Sequence, residues 1–302
     1  MKKIITVFTP TYNRACTLKR LYQSLKGQTL FEFEWLIVDD GSTDCTEDLI
    51  RNFKNECTSF PIRYYKKENG GKHTAINMGT GLANGYLFFI VDSDDFLIQN
   101  AIEIVLSWEQ SVSSEKFFAG VSGNRGFSAN EIIGGTFEGE YIDANALERE
   151  KNNILGDKAE VYYTEILRKY PFPVYDNEKF LTESIVWNRI AADGYKIRWF
   201  NTIIYISEYR DDGLTKKYIR LLSENPMGYA LDIKERTKLC YYSSHAIDSE
   251  FFNFFILEKN TIGFSKSAEY LEISKAQLAK SIVFYYYRVL IRKIKGRLKR
   301  KK

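Results

Sequence analysis

Three carboxylates fall within four residues where an apolar run ends: Phe88-Phe89-Ile90-Val91 leads straight into Asp92-Ser93-Asp94-Asp95. Like charges this close raise one another's pKa unless a cation neutralises them. A hard divalent ion does this through oxygen ligands, taking one or two protein carboxylates and filling its shell with substrate phosphates and water. Open α/β sheets bind their ligands at the carboxyl ends of strands, which is where an apolar run stopping in acids would place this tetrad. The plainer alternative is a solvated acidic turn before a helix, with Asp94 or Asp95 as N-cap. Residues elsewhere decide between the two.

A second acidic cluster, Asp39-Asp40-Gly41-Ser42-Thr43-Asp44, also follows an apolar run. Turn chemistry accounts for Gly41 to Asp44, with Ser42, Thr43 or Asp44 as helix caps. Two acids side by side at a strand end are better suited to accepting hydrogen bonds from a base N–H or from ribose hydroxyls. A third cluster, Glu68-Asn69-Gly70-Gly71-Lys72-His73-Thr74, opens a helix whose N-terminus, with Lys72 and His73, can face an anion. It is not a phosphate loop, because position 66 is Lys rather than Gly and position 73 is His rather than Ser or Thr. Gly79, Gly81 and Gly85 likewise miss the dinucleotide spacing. In Thr9-Pro10-Thr11-Tyr12-Asn13-Arg14, Pro10 is expected to end a strand and Asn13 to cap the next helix.

The elements that must carry these clusters are legible as alternation. Residues 4–8, 33–38, 62–66 and 86–91 read as strands, with helical patterns at about 15–26, 44–55 and 72–83 between them. Apolar runs on both faces of a strand fit a parallel sheet covered by helices, so the expectation is an α/β layer fold with right-handed crossovers. A helix over about 96–110, a strand over 117–122, a Gly/Asn/Ser-rich stretch over 122–140, a helix over 183–193 stopped by Gly194 and a strand over 196–200 follow. Beyond about 217 strand signals fade and aromatic-rich helical stretches such as 250–257 and 277–294 take over.

The four clusters together resemble glycosyltransferase family 2, the nucleotide-sugar transferases of GT-A fold. The matching pieces are Pro10-Thr11-Tyr12-Asn13, Val38-Asp39-Asp40-Gly41-Ser42, Asn69-Gly70-Gly71 with Asn77 and Gly79, and Asp92-Ser93-Asp94-Asp95, in order over about the first hundred residues. The resemblance implies a Rossmann-like, mostly parallel central sheet flanked by helices. It implies a nucleotide-sugar-binding half over about 1–100 and an acceptor side over about 101–217, while the change of texture beyond about 217 reads as a helical C-terminal extension over 218–302. Thr9, Pro10 and Asp40, with Asp39 nearby, would hold the nucleobase, and Lys72 would meet the nucleotide. Asp92, with Ser93, would bind ribose, and Asp94 or Asp95 would bind Mn²⁺ or Mg²⁺ bridging the diphosphate. Glu183, in Thr182-Glu183-Ser184-Ile185-Val186-Trp187-Asn188-Arg189, falls where the family places its catalytic Asp, with Thr182 in place of the preceding Glu. Its alternative role is an acid favoured by a helix dipole. His73, Arg210, Lys216 and Lys217 are candidates for the diphosphate or for a loop closing on it, against a solvated charged loop.

The implied activity is inverting transfer from a nucleotide-diphosphate-sugar, UDP-linked as the first expectation, to a saccharide or lipid-linked hydroxyl in bacterial-type surface polysaccharide or glycolipid synthesis. Alternatives are a sugar nucleotidyltransferase, which would carry glycines where Pro10-Thr11-Tyr12-Asn13-Arg14 has none, and a non-catalytic nucleotide-binding membrane adaptor. Bulk properties constrain the setting. The chain has 302 residues, 44% of them hydrophobic, enough for a sizeable core. Cys16, Cys45, Cys57 and Cys240 form no C-x-x-C pair, which fits a reducing compartment without zinc or a disulfide framework. The N-terminal apolar run is too short for a signal peptide, and no stretch reaches membrane-spanning length. From Arg288 to Lys302 there are nine Lys/Arg and no acid, so a net charge of +4 leaves −5 on the remaining residues. Tyr287, Leu290, Ile291, Ile294 and Leu298 share one helical face there. A basic amphipathic helix of this kind binds anionic membrane surfaces, which places the enzyme in the cytoplasm, peripheral to the inner face of the membrane. Nucleic acid is a poorer partner, because the body of the chain is acidic.

Overall fold

The computed structural model describes residues 4–208, 217–239 and 243–299, with residues 289–290 and 292–299 described by their backbone only. The chain forms two compact units, residues 1–174 with 186–213 and residues 175–185 with 214–302. A single boundary at 217 follows from the fading of strand signals alone. The short excursion 175–185 joins the second unit through long-range hydrogen bonds that no local pattern announces.

In chain order the elements up to residue 206 are β1 (Ile5–Thr11), α1 (Ala15–Lys26), β2 (Phe33–Asp39), α2 (Thr46–Glu56), β3 (Ile62–Lys66), α3 (Lys72–Leu82), β4 (Leu87–Ile90), β5 (Phe96–Leu97), α4 (Ala101–Gln110), β6 (Phe118–Ser128), β7 (Glu131–Ile132), β8 (Tyr141–Ala144), β9 (Lys158–Tyr163), α5 (Thr164–Leu167), α6 (Ser184–Ala192) and β10 (Lys196–Ile206). They build a mixed sheet of order β3-β2-β1-β4-β9-β6-β10-β5, with β7 on β6 and β8 on β10. The first four strands are mutually parallel, as the alternation requires. β9 is antiparallel to both β4 and β6 and joins the two halves. The expected strand over 117–122 runs on to Ser128, and the expected helix over 96–110 starts only at Ala101, after β5 has paired with β10.

Chain order reverses between β1 and β4, the switch point at which open α/β sheets make a crevice. β1 pairs with β2 as far as Thr11, but with β4 only as far as Phe8. Pro10 therefore lies inside β1 rather than ending it. Ile5 N–H and Thr11 C=O bond on the β2 side, and Phe8 C=O accepts from Val91 on the β4 side. Alternation puts the missing N–H of Pro10 on the β4 side, where pairing has already stopped, so no ladder bond is lost. Tyr22 of α1 stacks on Phe53 of α2 at 4.0 Å and on Trp35 of β2 at 6.0 Å, covering one sheet face. On the other face α3 lies so close that a Cβ on Gly79 would fall 2.2 Å from the Phe8 ring. Only glycine permits that approach.

The second unit carries α7 (Tyr218–Glu224), α8 (Pro226–Leu239), α9 (Ser244–Glu258), α10 (Gly263–Tyr270) and α11 (Lys275–Lys299). Tyr229, Ile233, Phe251, Phe254, Leu271 and Leu278 form its apolar core. Among the described residues no helix is long and apolar enough to cross a membrane.

Candidate active site

The carboxyl ends of β1, β2 and β4 and the start of α3 bring the clusters of the first unit onto one rim. Loop 11–14 and loop 42–44 are knitted together. Asn13 accepts from the Thr43 N–H at 2.8 Å, and its own N–H donates to Ser42 Oγ at 2.8 Å. Asn13 thus crosses to the neighbouring loop rather than capping α1. Asp44 takes on the capping, accepting from Ala15 N–H at 3.2 Å and from Thr46 N–H at 3.1 Å.

Asp39 and Asp40 are both buried. Asp39 accepts from Ser42 N–H at 2.7 Å and from the Tyr64 hydroxyl at 2.6 Å, and burial together with that carboxylate holds the Tyr64 hydroxyl well above its usual pKa. Asp40 takes four donors: Lys67 Nζ at 2.7 Å, Gly70 N–H at 2.9 Å, Gly71 N–H at 2.7 Å and Asn69 Nδ2 at 3.1 Å. A carboxylate offers about four lone-pair sites, so Asp40 is saturated. Its carboxylate shapes the 67–71 loop, where Gly71 adopts φ 93°, and leaves no acceptor for a nucleobase. Asp39 keeps spare acceptor capacity. Thr9 is committed as well, since its Oγ1 accepts from Trp35 Nε1 at 2.9 Å. Two residues further on, Thr11 is buried with its hydroxyl unpartnered among the described residues. Strand alternation puts Thr11 on the same face as Thr9, and that period was the available signal.

His73 is also buried, with an unpartnered Nδ1. Burial pushes its imidazole below its usual pKa, with Asp40 opposing and Lys67 reinforcing the shift. It is a neutral ring and supplies no charge to a diphosphate. Lys72, one residue earlier, reaches Asp92 Oδ1 at 2.6 Å and ties the start of α3 to the acidic tetrad.

The tetrad divides into unlike parts. Asp92 is half-buried, and its N–H donates to the Tyr205 hydroxyl at 2.9 Å. Burial alone would raise its pKa, but Lys72 and Arg125 outweigh burial and hold it ionised, below the usual range. Ser93 is buried. Asp95 is clamped by the end of β10: Tyr205 donates at 2.8 Å, Ser207 Oγ at 3.2 Å and Glu208 N–H at 3.0 Å. Burial and the charge of Asp92 push Asp95 upward, against Arg125 and these donors. Asp94 differs. Its backbone oxygen accepts from Arg20 at 2.6 Å, but among the described residues no side chain pairs with its carboxylate. Burial and Asp92 raise its pKa, against its own N–H, Arg14 and Lys72.

Arg125, from β6, was not singled out by motif. Its Nη1 lies 3.4 Å from Asp92 and 3.7 Å from Asp95, its Nε donates to Lys158 C=O at 2.9 Å, and its guanidinium sits 4.1 Å over the Tyr205 ring. Among the described residues, Lys72 and Arg125 pair with Asp92 and Asp95, and no such ion pair reaches Asp94. Among the described residues no cluster of three metal-ligating side chains exists. The carboxylate of Asp94 fits a hard cation, which would take phosphate and water oxygens for the rest of its shell. Of the two acids expected at the metal, Asp95 has both oxygens engaged, and Asp94 is the one available.

In the second unit Glu183 immediately precedes α6, and Lys217 is an exposed residue at the start of α7. Arg210 and Lys216 lie outside the described residues.

Comparison with known proteins bears on this geometry. Residues 6–110 match the family described as glycosyl transferase family 2. Glycosyltransferase GlyA of Streptococcus pneumoniae is 27% identical over 225 residues, 73% of this chain and 28% of that protein. Chondroitin synthase of Pasteurella multocida is 34% identical over 103 residues, 34% of this chain and 10% of that protein. The chain therefore spans less than a third of the length of these relatives. Among solved structures, S. aureus TarS 1–349 in complex with UDP-GlcNAc shares the fold with a TM-score of 0.61 and 14% identity, over 94% of this chain and 92% of that one. A mannosyltransferase from Pyrobaculum calidifontis in complex with GDP-Man and Mn²⁺ does so with a TM-score of 0.56 and 15% identity, over 95% of this chain and 76% of that one.

Proposed function

We propose, from the membership of this chain in glycosyl transferase family 2 through its residues 6–110, that it transfers a sugar from a nucleoside-diphosphate-sugar to a hydroxyl acceptor with inversion. The observation that carries the proposal is the carboxylate of Asp94, unpaired among the described residues, in a corner whose other acids each meet a cation. Mn²⁺ or Mg²⁺ held by Asp94 would supply charge neutralisation for the departing diphosphate. Thr11 and Asp39 are the polar groups at the switch point with capacity left for a base. Asp92, kept ionised by Lys72 and Arg125, accepts from ribose hydroxyls. Glu183, assigned by its place in the family motif, takes the proton of the acceptor hydroxyl. The acceptor oxygen then bonds to the anomeric carbon as the bond from that carbon to the diphosphate oxygen breaks. The diphosphate leaves with the electron pair.

The donor is a UDP-sugar in this reading, supported by the UDP-GlcNAc and UDP complexes of TarS. The GDP-Man complex of the Pyrobaculum mannosyltransferase is the reason to test other bases. The acceptor is a growing surface saccharide or lipid-linked sugar, a reading supported by the polysaccharide synthases among the relatives. The basic segment 288–302 would bring the enzyme to an anionic membrane surface carrying that acceptor.

The deciding experiment is thermal unfolding with UDP-, GDP-, dTDP- and CDP-sugars, with and without Mn²⁺. A ligand present at a hundred times its Kd stabilises the native state by about 2.7 kcal/mol. One nucleotide class should raise Tm, and only with the metal. No shift with any of them would overturn the assignment.

A further inference from the structure

The segment carrying Glu183 is fastened along its length to α8. Glu178 accepts from Met227 N–H at 2.7 Å and from Gly228 N–H at 2.8 Å, capping the start of that helix. Asn225 Oδ1 accepts from Lys179 N–H at 2.6 Å and Phe180 N–H at 3.0 Å. Gly228 lies so close that an added Cβ would sit 2.9 Å from Phe180 C=O. Further along, Thr182 Oγ1 donates to Asp232 Oδ1 at 3.1 Å, and Ser184 Oγ lies 3.4 Å from the same oxygen and 3.1 Å from Thr182 Oγ1. The residues on both sides of Glu183 are thus tied to one carboxylate oxygen.

That carboxylate is itself fixed. Asp232 is 3% exposed. Its Oδ2 accepts from Arg236 Nε at 2.9 Å, one helical turn along α8. Arg236 then forks onto both oxygens of Glu250 in α9, at 3.1 and 3.3 Å. A buried carboxylate with a charged, bidentately held partner has one low-energy position. A merely structural staple would serve equally well as an apolar contact, whereas this chain sets a buried carboxylate, backed by two half-buried charges, behind a turn of three residues. Thr182 is also where the chain departs from the family motif, and its hydroxyl is the group that engages the network.

We infer that Asp232, backed by Arg236 and Glu250, is a positioning residue for Glu183. The inference rests on the assignment of Glu183 as the base. Holding a base in its productive geometry acts on the rate of the chemical step more than on donor binding.

The test uses the full chain with Thr182→Val, Thr182→Ser, Asp232→Asn and Glu183→Gln, reading kcat, donor Kd and Tm. Thr182→Val and Asp232→Asn should each lower kcat by about tenfold or more and leave donor Kd within about twofold. Thr182→Ser keeps the hydroxyl and should retain most of the rate. In the Glu183→Gln background neither change should lower the residual rate further, because groups acting as a unit are not additive. Should Asp232→Asn not fold, Thr182→Val, which removes one hydroxyl, decides alone. Full kcat in Thr182→Val with Glu183→Gln inactive would overturn the positioning role only. An equal fold-loss in both backgrounds would overturn it too. Full turnover in Glu183→Gln would instead sink the base assignment, and the positioning role with it.

Discussion

Replacing Arg125 with Met tests whether the acidic corner is built as described. The guanidinium lies 3.4 Å from Asp92 and 3.7 Å from Asp95, with side-chain exposures of 13%, 22% and 8%. At an effective dielectric of about 20, these separations give attractions of about 5 and about 4.5 kcal/mol. Burying the guanidinium costs several kcal/mol in return, so the net loss expected on removing one partner of a buried pair is about 3 to 5 kcal/mol. The loss must depend on pH. Without Arg125, Asp95, already above its unfolded value, rises further, and Asp92 loses one of the two cations that hold it below, so the variant's native state binds more protons than the parent's. Relative to the parent, the variant's stability then rises as pH falls, by up to about 1.4 kcal/mol per pH unit for each extra proton taken up. In the parent, Asp92 stays ionised until well below pH 4, because Lys72 and Arg125 hold it down. The gap between parent and variant, measured by urea unfolding, should therefore be widest at pH 7.5 and narrower by about 2 kcal/mol at pH 5. A loss under about 1 kcal/mol at pH 7.5, or the same loss at both pH values, would refute the reasoning.

The division of labour between Asp94 and Asp95 predicts opposite phenotypes. Asp94→Asn should leave unfolding within about 0.5 kcal/mol, having no partner to lose among the described residues, yet abolish the Mn²⁺ dependence of donor binding. Asp95→Asn should lower stability by about 1 to 3 kcal/mol through its stranded donors, and identical behaviour in the two variants would count against the scheme. Because burial and Asp92 raise the pKa of Asp94, protons should begin to compete for Mn²⁺ above the usual Asp range. A Mn²⁺ affinity that stays flat as an acid titration passes through the ordinary carboxylate range would refute Asp94 as the ligand. Deleting 288–302 should release the protein from phosphatidylserine vesicles, and unchanged co-sedimentation would end the membrane proposal.

What the sequence made legible was the parallel half of the sheet. Strands buried on both faces read as apolar runs, and each is closed by a helix of ordinary periodicity, so β1 to β4 and α1 to α3 emerge nearly at their observed bounds. β9 did not emerge. Its Lys158-Ala159-Glu160 start is charged, and it enters the sheet between two strands far from it in sequence. Lys158 is nonetheless buried, held by Asn124 Oδ1 at 2.7 Å and Gly135 C=O at 2.7 Å. Arg125 was hidden for a related reason. Composition over 122–140 suggests a loop, but Gly123 and Gly126 are there because Ile204 and the 128–131 backbone press against them, so the strand continues through them. Lys67 and Lys72 show the limit of motif reading. Both flank the paired glycines, and only the fold assigns one to Asp40 and the other to Asp92.

Three of the six motif acids, Asp40, Asp44 and Asp95, are taken up by hydrogen bonds within the fold, and that sharpens the contrast with Asp94. Asp40 organises the 67–71 loop, Asp44 caps α1 and α2, and Asp95 locks the end of β10. Each already meets donors within the fold in the absence of any ligand. A site that had to wait for a metal to neutralise all its acids would carry several uncompensated buried charges in the free protein, each costing kilocalories. With Asp94 the one tetrad acid left without an ion pair among the described residues, that cost falls on one half-buried side chain, and the cation's affinity would depend on the diphosphate that completes its shell. Metal and donor should then bind together, each tightening the other by the same factor, so Mn²⁺ alone should bind weakly to a chain that binds it well beside the correct nucleotide. Calorimetric titration of Mn²⁺ with and without nucleotide reads that factor directly, and equal affinities in the two titrations would show that ligands other than Asp94 and the diphosphate hold the ion.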